Sequence, residues 1–346
     1  MNRLRTLLSL LAFVVPTSQA IEIHGAGSSA AAPLYKIWAD AYAKNSKDSV
    51  DYQATGSSAG IKKIKENGVD FGASDAALSL SDLKKAKLIQ FPSAISGVVP
   101  VINLPGVRTG TLHLTGDILA GIFSAKITQW NDAAIVAANP GVHVPVHAIE
   151  VIVRQDGSGT TYNFTDYLSK VNPAWQMANG RNFTINWNPR LTQVKGSGGV
   201  SAAVRKTAYS ISYIDYNYVV QDKLDFALVQ NRDGRFPLPG PESFSIALSG
   251  SSWKTQANFE EMLTDKPGVK AWPITMGTFI LLPQAAVNVE KTSATLKFFT
   301  WAFMNGDKFV NSVDFVRLPD ALQARVFKEM TTVTDQNGKP LHWSLP

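Results

Sequence analysis

Arg154, Asp156, Gly157, Ser158, Gly159 and Thr160 lie within seven residues, directly behind the apolar run Val151, Ile152, Val153. That order reads as a buried strand, a tight turn and the opening of a helix. Glycines at 157 and 159 let backbone come close to a ligand. The first-turn N–H groups, the positive helix end and the hydroxyls of Ser158 and Thr160 together make a cradle for an oxyanion. Arg154 adds a planar fork of donors that suits a tetrahedral oxyanion. The competing reading is an ordinary strand-to-helix turn with a serine cap.

Two further segments share this grammar. Gly25 and Gly27 end an apolar stretch and place Ser28 and Ser29 ahead of a helix opening at Pro33. Gly56 then precedes Ser57 and Ser58, ahead of Ile61 and Ile64. Three Gly/Ser turns of this kind can converge on one anion. Asp75, after the run from Val69 to Ala73, brings a carboxylate among small residues. Two like charges about 4 Å apart repel by roughly 4 kcal/mol at an effective dielectric of 20. A carboxylate there makes sense if the ligand has a proton to donate. Phosphate near neutral pH carries one and sulfate does not, so Asp75 would admit phosphate and repel sulfate.

The segments 25–29, 52–60, 69–75 and 154–160 resemble the phosphate-binding proteins of bacterial Pst-type ABC importers. Segments 126–132, 272–275 and 297–302 match in the same order, so the resemblance covers about the whole mature chain. It implies an α/β, two-lobed periplasmic binding protein fold with a hinge and a ligand cleft between the lobes. It also implies that Ser29 and Ala30 form the first anion-binding turn and that Ser57 serves the second. Asp75 would accept the phosphate proton. Arg154, Ser158, Gly159 and Thr160 would form the third group, with Asp156 holding the arginine. The partners implied are inorganic phosphate and an inner-membrane ABC permease, with no cofactor, no metal and a monomeric state. One departure stands out: the family often has Thr followed by an aromatic where this chain has Ser29 and Ala30. The backbone N–H groups and a hydroxyl survive that change, while the aromatic wall of the cleft is lost.

Composition points to an exported protein. Arg3 and Arg5 precede an apolar stretch from Leu7 to Val15, and Ser18 and Ala20 offer small residues for cleavage after position 20. The apolar stretch is too short for a membrane anchor, which needs about 20 residues. Cleavage removes two arginines and no acids from a chain of net charge +6. The chain has no cysteine, which excludes a lipobox anchor, disulfides and thiolate metal sites. Free periplasmic residence is expected. Charged residues make up only 17%, and no basic stripe with interleaved aromatics suggests nucleic acid. Lys62, Lys63 and Lys65, like Lys84, Lys85 and Lys87, read as solvated helix faces.

The elements that would position these turns alternate at short spacing. Strands are expected at 21–26, 50–54 and 69–73, with helices near 33–44 and 58–67, a parallel-sheet pattern. Leu34, Ile37, Trp38 and Tyr42 recur at helical spacing and are expected to face the sheet, and Gly68 is expected to end the second helix. An apolar strand at 93–101 crosses into a second lobe. That lobe holds a helix near 117–124, the 149–154 strand, the helix after Ser158, a Gly-rich turn at 195–201 and a strand at 210–216. The turn lacks the ending of a nucleotide loop and reads as a close-packing turn facing the cleft. A strand at 272–282 returns. Ser293 is then expected to cap a helix whose Leu296, Phe299, Trp301 and Phe303 belong to the core. The expected organisation is 1–20 leader, 21–94 and 276–346 lobe I, and 95–275 lobe II.

Other functions remain to be weighed. A periplasmic phosphatase would need a nucleophile or metal. The hydrolase elbow G-x-S-x-G does not fit residues 156–160, and the five histidines show no zinc spacing. A phosphate-scavenging surface or adhesion protein of the same fold would carry the same cradle. Asn163 and Asn182 head glycosylation sequons that read as chance matches.

Overall fold

The computed structural model describes residues 19–255 and 259–343; the expected leader, up to residue 18, lies outside the described residues. The strands are β1 (Glu22–Gly27), β2 (Ser49–Gln53), β3 (Phe71–Ser74), β4 (Leu88–Asn103), β5 (His113–Leu114) and β6 (Glu150–Arg154). They continue with β7 (Thr192–Val194), β8 (Ser210–Asp215), β9 (Asp225–Phe226), β10 (Leu228–Val229) and β11 (Thr275–Pro283). Nine of them form one mixed sheet in the order β2-β1-β3-β11-β4-β8-β6-β7, with β9 also on β4. β5 and β10 pair apart from it.

β4 organises the molecule. Its sixteen residues are buried except at the last position, which suits an uninterrupted apolar run. From Leu88 to Gly97 it pairs antiparallel with β11, and from Val98 to Asn103 it pairs antiparallel with β8. The change of partner splits the sheet into two α/β lobes, one built around β2-β1-β3-β11 and the other around β8-β6-β7. The crossing is pinned by the 272–275 segment. Trp272 Nε1 donates to the Val98 carbonyl at 2.9 Å, and the Val98 N–H donates to the Ile274 carbonyl at 2.8 Å. The parallel pairing of β1 with β2 and β3 follows from helical crossovers between them.

In the first lobe, helix Ala32–Tyr42 buries Leu34, Tyr35, Trp38 and Tyr42. Tyr35 rather than Ile37 takes the inner position; Ile37 is only partly buried. Tyr35, Phe71 and Phe299 meet edge to face, as do Trp38 and Phe303. Such pairs add about 0.5–1.5 kcal/mol each beyond their buried area. Helix Val289–Asn305 carries the buried Leu296, Phe299, Trp301 and Phe303. It begins four residues before Ser293, because the Asn288 side chain caps it by accepting from the Lys291 N–H. In the second lobe Phe164 stacks on Tyr213 and Phe123 packs edge-on against Phe164, joining helix Gly116–Phe123, helix Gly159–Val171 and β8.

Helix Ser57–Lys65 begins at Ser57, with Gly56 ahead of it at φ 90°. Its end differs from the expectation of a glycine stop. Asn67 takes the left-handed conformation at φ 54°, and the Gly68 N–H closes onto the Lys63 carbonyl at 2.8 Å. Asparagine tolerates that region through its short polar side chain. Gly60, inside this helix, lets it lie directly on β1 and β3. A Cβ there would stand 2.6 Å from both the Ala26 carbonyl oxygen and the Gly27 Cα. Both are backbone atoms and cannot swing away. Gly60→Ala therefore sets a helix-propensity gain of about 1 kcal/mol against overpacking that typically costs about 1–3 kcal/mol. The net expected is destabilisation, read as a lower urea midpoint at unchanged slope; a raised midpoint would show that the helix can lift off the sheet at no cost.

Candidate functional site

β1, β2, β3 and β6 all deliver their carboxyl ends to the same place, the crevice where open α/β sheets hold ligands. β1 runs into Ser28, Ser29 and Ala30; β2 into Gly56 and Ser57; β3 into Asp75; and β6 into the 154–160 turn. Helices Ala32–Tyr42, Ser57–Lys65 and Gly159–Val171 start at three of these ends, so their positive termini face one region.

Arg154 retains only 3% exposure. Its Nε donates to Asp156 Oδ1 at 2.7 Å and its Nη2 to Asp156 Oδ2, a two-pronged hold that fixes the guanidinium plane. Asp156 Oδ1 also accepts from the Gly196 N–H at 3.0 Å. Burial works to raise the Asp156 carboxyl, but the hydrogen bonds and charge of Arg154 outweigh it and hold the group below the usual carboxylate range. Gly56 makes room for this pair: a Cβ there would stand 2.6 Å from Asp156 Oδ2.

Contacts between the lobes join the turns. Arg154 Nη2 donates to Ser29 Oγ at 3.2 Å, and the Gly159 N–H donates to Ser57 Oγ at 3.2 Å. Ser57 also accepts from the Asp75 N–H at 3.1 Å. Ser57 therefore serves the cleft instead of capping its own helix. Ser158 does the reverse, with Oγ accepting from the Thr161 N–H at 3.1 Å; its own N–H is donated to the Phe183 carbonyl at 2.9 Å, so its hydroxyl hydrogen is the donor left over. Thr160 Oγ1 is buried without a hydrogen-bond partner, and Ala30 is fully buried.

Asp75 is 2% exposed. Its Oδ1 accepts from Ser28 Oγ at 2.6 Å and Thr278 Oγ1 at 2.8 Å, while Oδ2 has only Ser57 Oγ at 3.4 Å. Burial raises the Asp75 carboxyl, opposed by the Ser28 and Thr278 hydroxyls, the Arg154 charge and Ser57. The arrangement offers one saturated oxygen and one under-used acceptor beside many donors.

The structure thus places Ser29, Ser57, Asp75, Arg154, Asp156, Gly159 and Thr160 in one neighbourhood, and adds residues that sequence reasoning did not single out. Thr278 sits inside an apolar strand with no motif to mark it. Asn163, the first sequon asparagine, is buried and donates to the carbonyls of Asp75 at 2.6 Å and Gly159 at 2.9 Å. Asn217 Nδ2 reaches the Ala30 carbonyl and Tyr218 OH the Ser29 carbonyl, both at 3.1 Å. The Gly-rich segment at 195–201 is the start of helix Gly196–Lys206, and Ser197 Oγ lies 3.0 Å from Ser29 Oγ. That segment was expected as a close-packing turn facing the cleft; it does reach the cleft, but as the first turn of a helix. Among the described residues no cluster of three or more His, Asp or Glu could hold a metal. His113 and His147 stack on Phe236 and Tyr209 instead.

Comparison with known proteins identifies the family. The family model of the PBP superfamily domain matches residues 14–305. The chain is 42% identical over 309 residues to the phosphate-binding protein PstS of Xylella fastidiosa, spanning 89% of this chain and 85% of that one. It is 41% identical over 326 residues to PstS of Pasteurella multocida, spanning 94% of each. A phosphate-binding protein from Stenotrophomonas maltophilia has a similar structure, with a TM-score of 0.69 at 23% identity over 89% of this chain and 93% of that one. A putative phosphate ABC transporter substrate-binding protein with bound phosphate, from Clostridium perfringens, gives 0.63 at 19% identity over 86% and 100%. At those identities the structures speak for the fold alone, that of a two-lobed periplasmic binding protein. By family model, relatives and fold together, this chain belongs to the Pst-type periplasmic phosphate-binding protein family.

Proposed function

We propose that this protein binds inorganic phosphate between its lobes in the periplasm and delivers it to an inner-membrane ABC permease, as a monomer and without a cofactor. The observation that carries this reading is Asp75, a buried carboxylate with one under-used oxygen beside the Ser57 hydroxyl and within the field of the Arg154 charge. A fully deprotonated anion finds repulsion there; a protonated one finds an acceptor. In the proposed complex, donors that the lobes now spend on each other turn to the ligand. Ser29 and Ala30 offer the first turn, Ser57 its hydroxyl, and Ser158, Gly159 and Thr160 the third turn. Arg154 brings the positive charge and Asp156 keeps it in plane. Segments 21–94 and 276–346 would close against 95–275 about the β4 crossing, so one anion held by both lobes favours the closed state.

The phosphatase reading lacks a nucleophile with a base, and the relatives are binding proteins rather than enzymes. A scavenging or adhesion role shares the cradle and is separated by a transport assay. Calorimetric titration of the ligand-stripped chain is expected to give one phosphate per chain and no phosphomonoester turnover. Turnover that disappears in cradle variants would replace transport with catalysis. Arg154→Ala is expected to weaken phosphate by about 3–5 kcal/mol, the usual cost of breaking a buried charge pair. Arg154→Lys should lose much of the same, because a point charge cannot reproduce the fork; unchanged affinity in both variants would move the cradle elsewhere. Asp75→Asn keeps the volume and turns an acceptor-only group into one that can donate. Sulfate should then gain roughly a few kcal/mol through removal of a repulsion, and phosphate should change less. A stability loss with an unchanged phosphate-to-sulfate ratio would reduce Asp75 to a turn-forming residue.

A further inference from the structure

We infer that Thr278, together with Ser28, is a specificity-determining positioning residue: the two hydroxyls hold Asp75 as an anion and turn its free oxygen toward the ligand. The inference rests on the phosphate reading above and adds residues outside the anion cradle itself.

The partners of the Asp75 carboxylate are hydroxyls, not cations. Both short contacts fall on Oδ1, at 2.6 and 2.8 Å, whereas the Ser57 contact to Oδ2 at 3.4 Å is long for an O–H···O bond. A proton added to this carboxyl would therefore settle on Oδ2. Asp75 would then donate instead of accept, and sulfate would be as welcome as phosphate. Selectivity depends on keeping a buried carboxyl ionised.

Of the surrounding charges Arg154 helps, though less than either hydroxyl on Oδ1. Arg154, from β6, has its fork on Asp156. Asp215, from β8, is buried and adds like charge whenever it ionises. Tyr35, from helix Ala32–Tyr42, is buried and Tyr52, from β2, partly buried, and desolvation raises both phenols. The two hydroxyl donors on Oδ1 are the groups placed to offset burial.

Thr278 is built into this role by an irregularity of the sheet. Opposite it β4 carries an extra residue: Thr278 pairs with Ala94 and Phe279 with Pro92, leaving Ser93 bulged between them. Proline at that point has no N–H to lose, and a bulge re-aims the side chains around it. Ser93 Oγ donates to the Thr278 carbonyl at 3.1 Å and meets Tyr35 OH at 2.7 Å. Thr278 is 1% exposed, and valine would fill the same strand position with equal β preference. Its hydroxyl is not needed for the strand. Ser28, Asp75 and Thr278 all come from the β1-β3-β11 side of the sheet, so the acceptor is set before the other lobe closes.

The test compares wild type, Thr278→Val, Thr278→Ser and Ser28→Ala as full chains, titrated with phosphate and sulfate across mildly acidic to neutral pH. In wild type the phosphate-to-sulfate ratio should fall on acidification as Asp75 takes up a proton. In Thr278→Val the fall should begin at higher pH, with a ratio roughly tenfold lower at the acid end, the scale of one hydrogen bond to a charged group. Thr278→Ser should follow wild type, and Ser28→Ala should behave like Thr278→Val even if the latter fails to fold. Superimposable profiles for wild type and both hydroxyl-deleted variants, or a Thr278→Ser that falls with Thr278→Val, overturn the inference. Wild type that binds no phosphate overturns the function on which it rests, an outcome distinct from altered selectivity.

Discussion

Arg154 carries a full positive charge into a place where almost none of its surface meets water. Removing a charge from water costs several kcal/mol even after relaxation, and only close partners in good geometry offset it. Asp156 supplies them from two residues away, which is possible because the turn after β6 folds the carboxylate back onto the guanidinium. The rest of the crevice accommodates that pair. Gly56 lacks the side chain that would strike Asp156, the Gly196 N–H completes the carboxylate, and Trp187 Nε1 holds the Arg154 carbonyl at 3.2 Å. Three turns from both lobes are thereby committed to one ion pair. Arg154 is left as a fixed cation rather than a mobile one.

A second constraint is the amount of negative charge the crevice can hold. Asp215 ends β8 opposite Val98 at the crossing, fully buried, with one oxygen receiving the Asn217 N–H and the other unpartnered. Burial pushes its carboxyl well above the usual range. Asp75 is buried to a similar degree but has hydroxyl donors. Two carboxyls of similar exposure are thus held differently through their hydrogen bonds, with burial offset more fully at Asp75 than at Asp215.

Much of this was legible in the sequence because it is local. Glycine and serine at a strand end, followed by an amphipathic run, state the turn, the helix and its positive end within a dozen or so residues. Arg154 and Asp156 are close enough in sequence for their pairing to be anticipated. Helix ends were less legible, because several residue types compete for them: Asn288 caps where Ser293 was expected, and Asn67 takes the left-handed position expected of Gly68. Ile37 lies about 200° around the helix from Tyr35, and the face marked by Leu34, Trp38 and Tyr42 includes Tyr35, so the angular spacing favours Tyr35 although hydrophobicity favours Ile37. Thr278, Asn163, Asn217 and Tyr218 were illegible for a different reason. Their contacts to Asp75, Ala30 and Ser29 span between 88 and 203 positions, and nothing in their own neighbourhoods marks them.

The sheet order has a consequence for how the chain is made. β3 and β4 are separated in space by β11, which is synthesised nearly two hundred residues after them. A chain emerging N-terminus first exposes two unpaired strand edges, one of them on a long apolar strand, until residue 283 is available. The second lobe lies wholly within the interval and can complete its own pairing of β6, β7 and β8 meanwhile. Unpaired edges of this kind attract other chains, and long-range pairing is slow to form. The interval before β11 arrives is therefore the window of greatest aggregation risk, when a holding chaperone would matter most. The oxygen that completes Asp75's surroundings arrives only when that window closes.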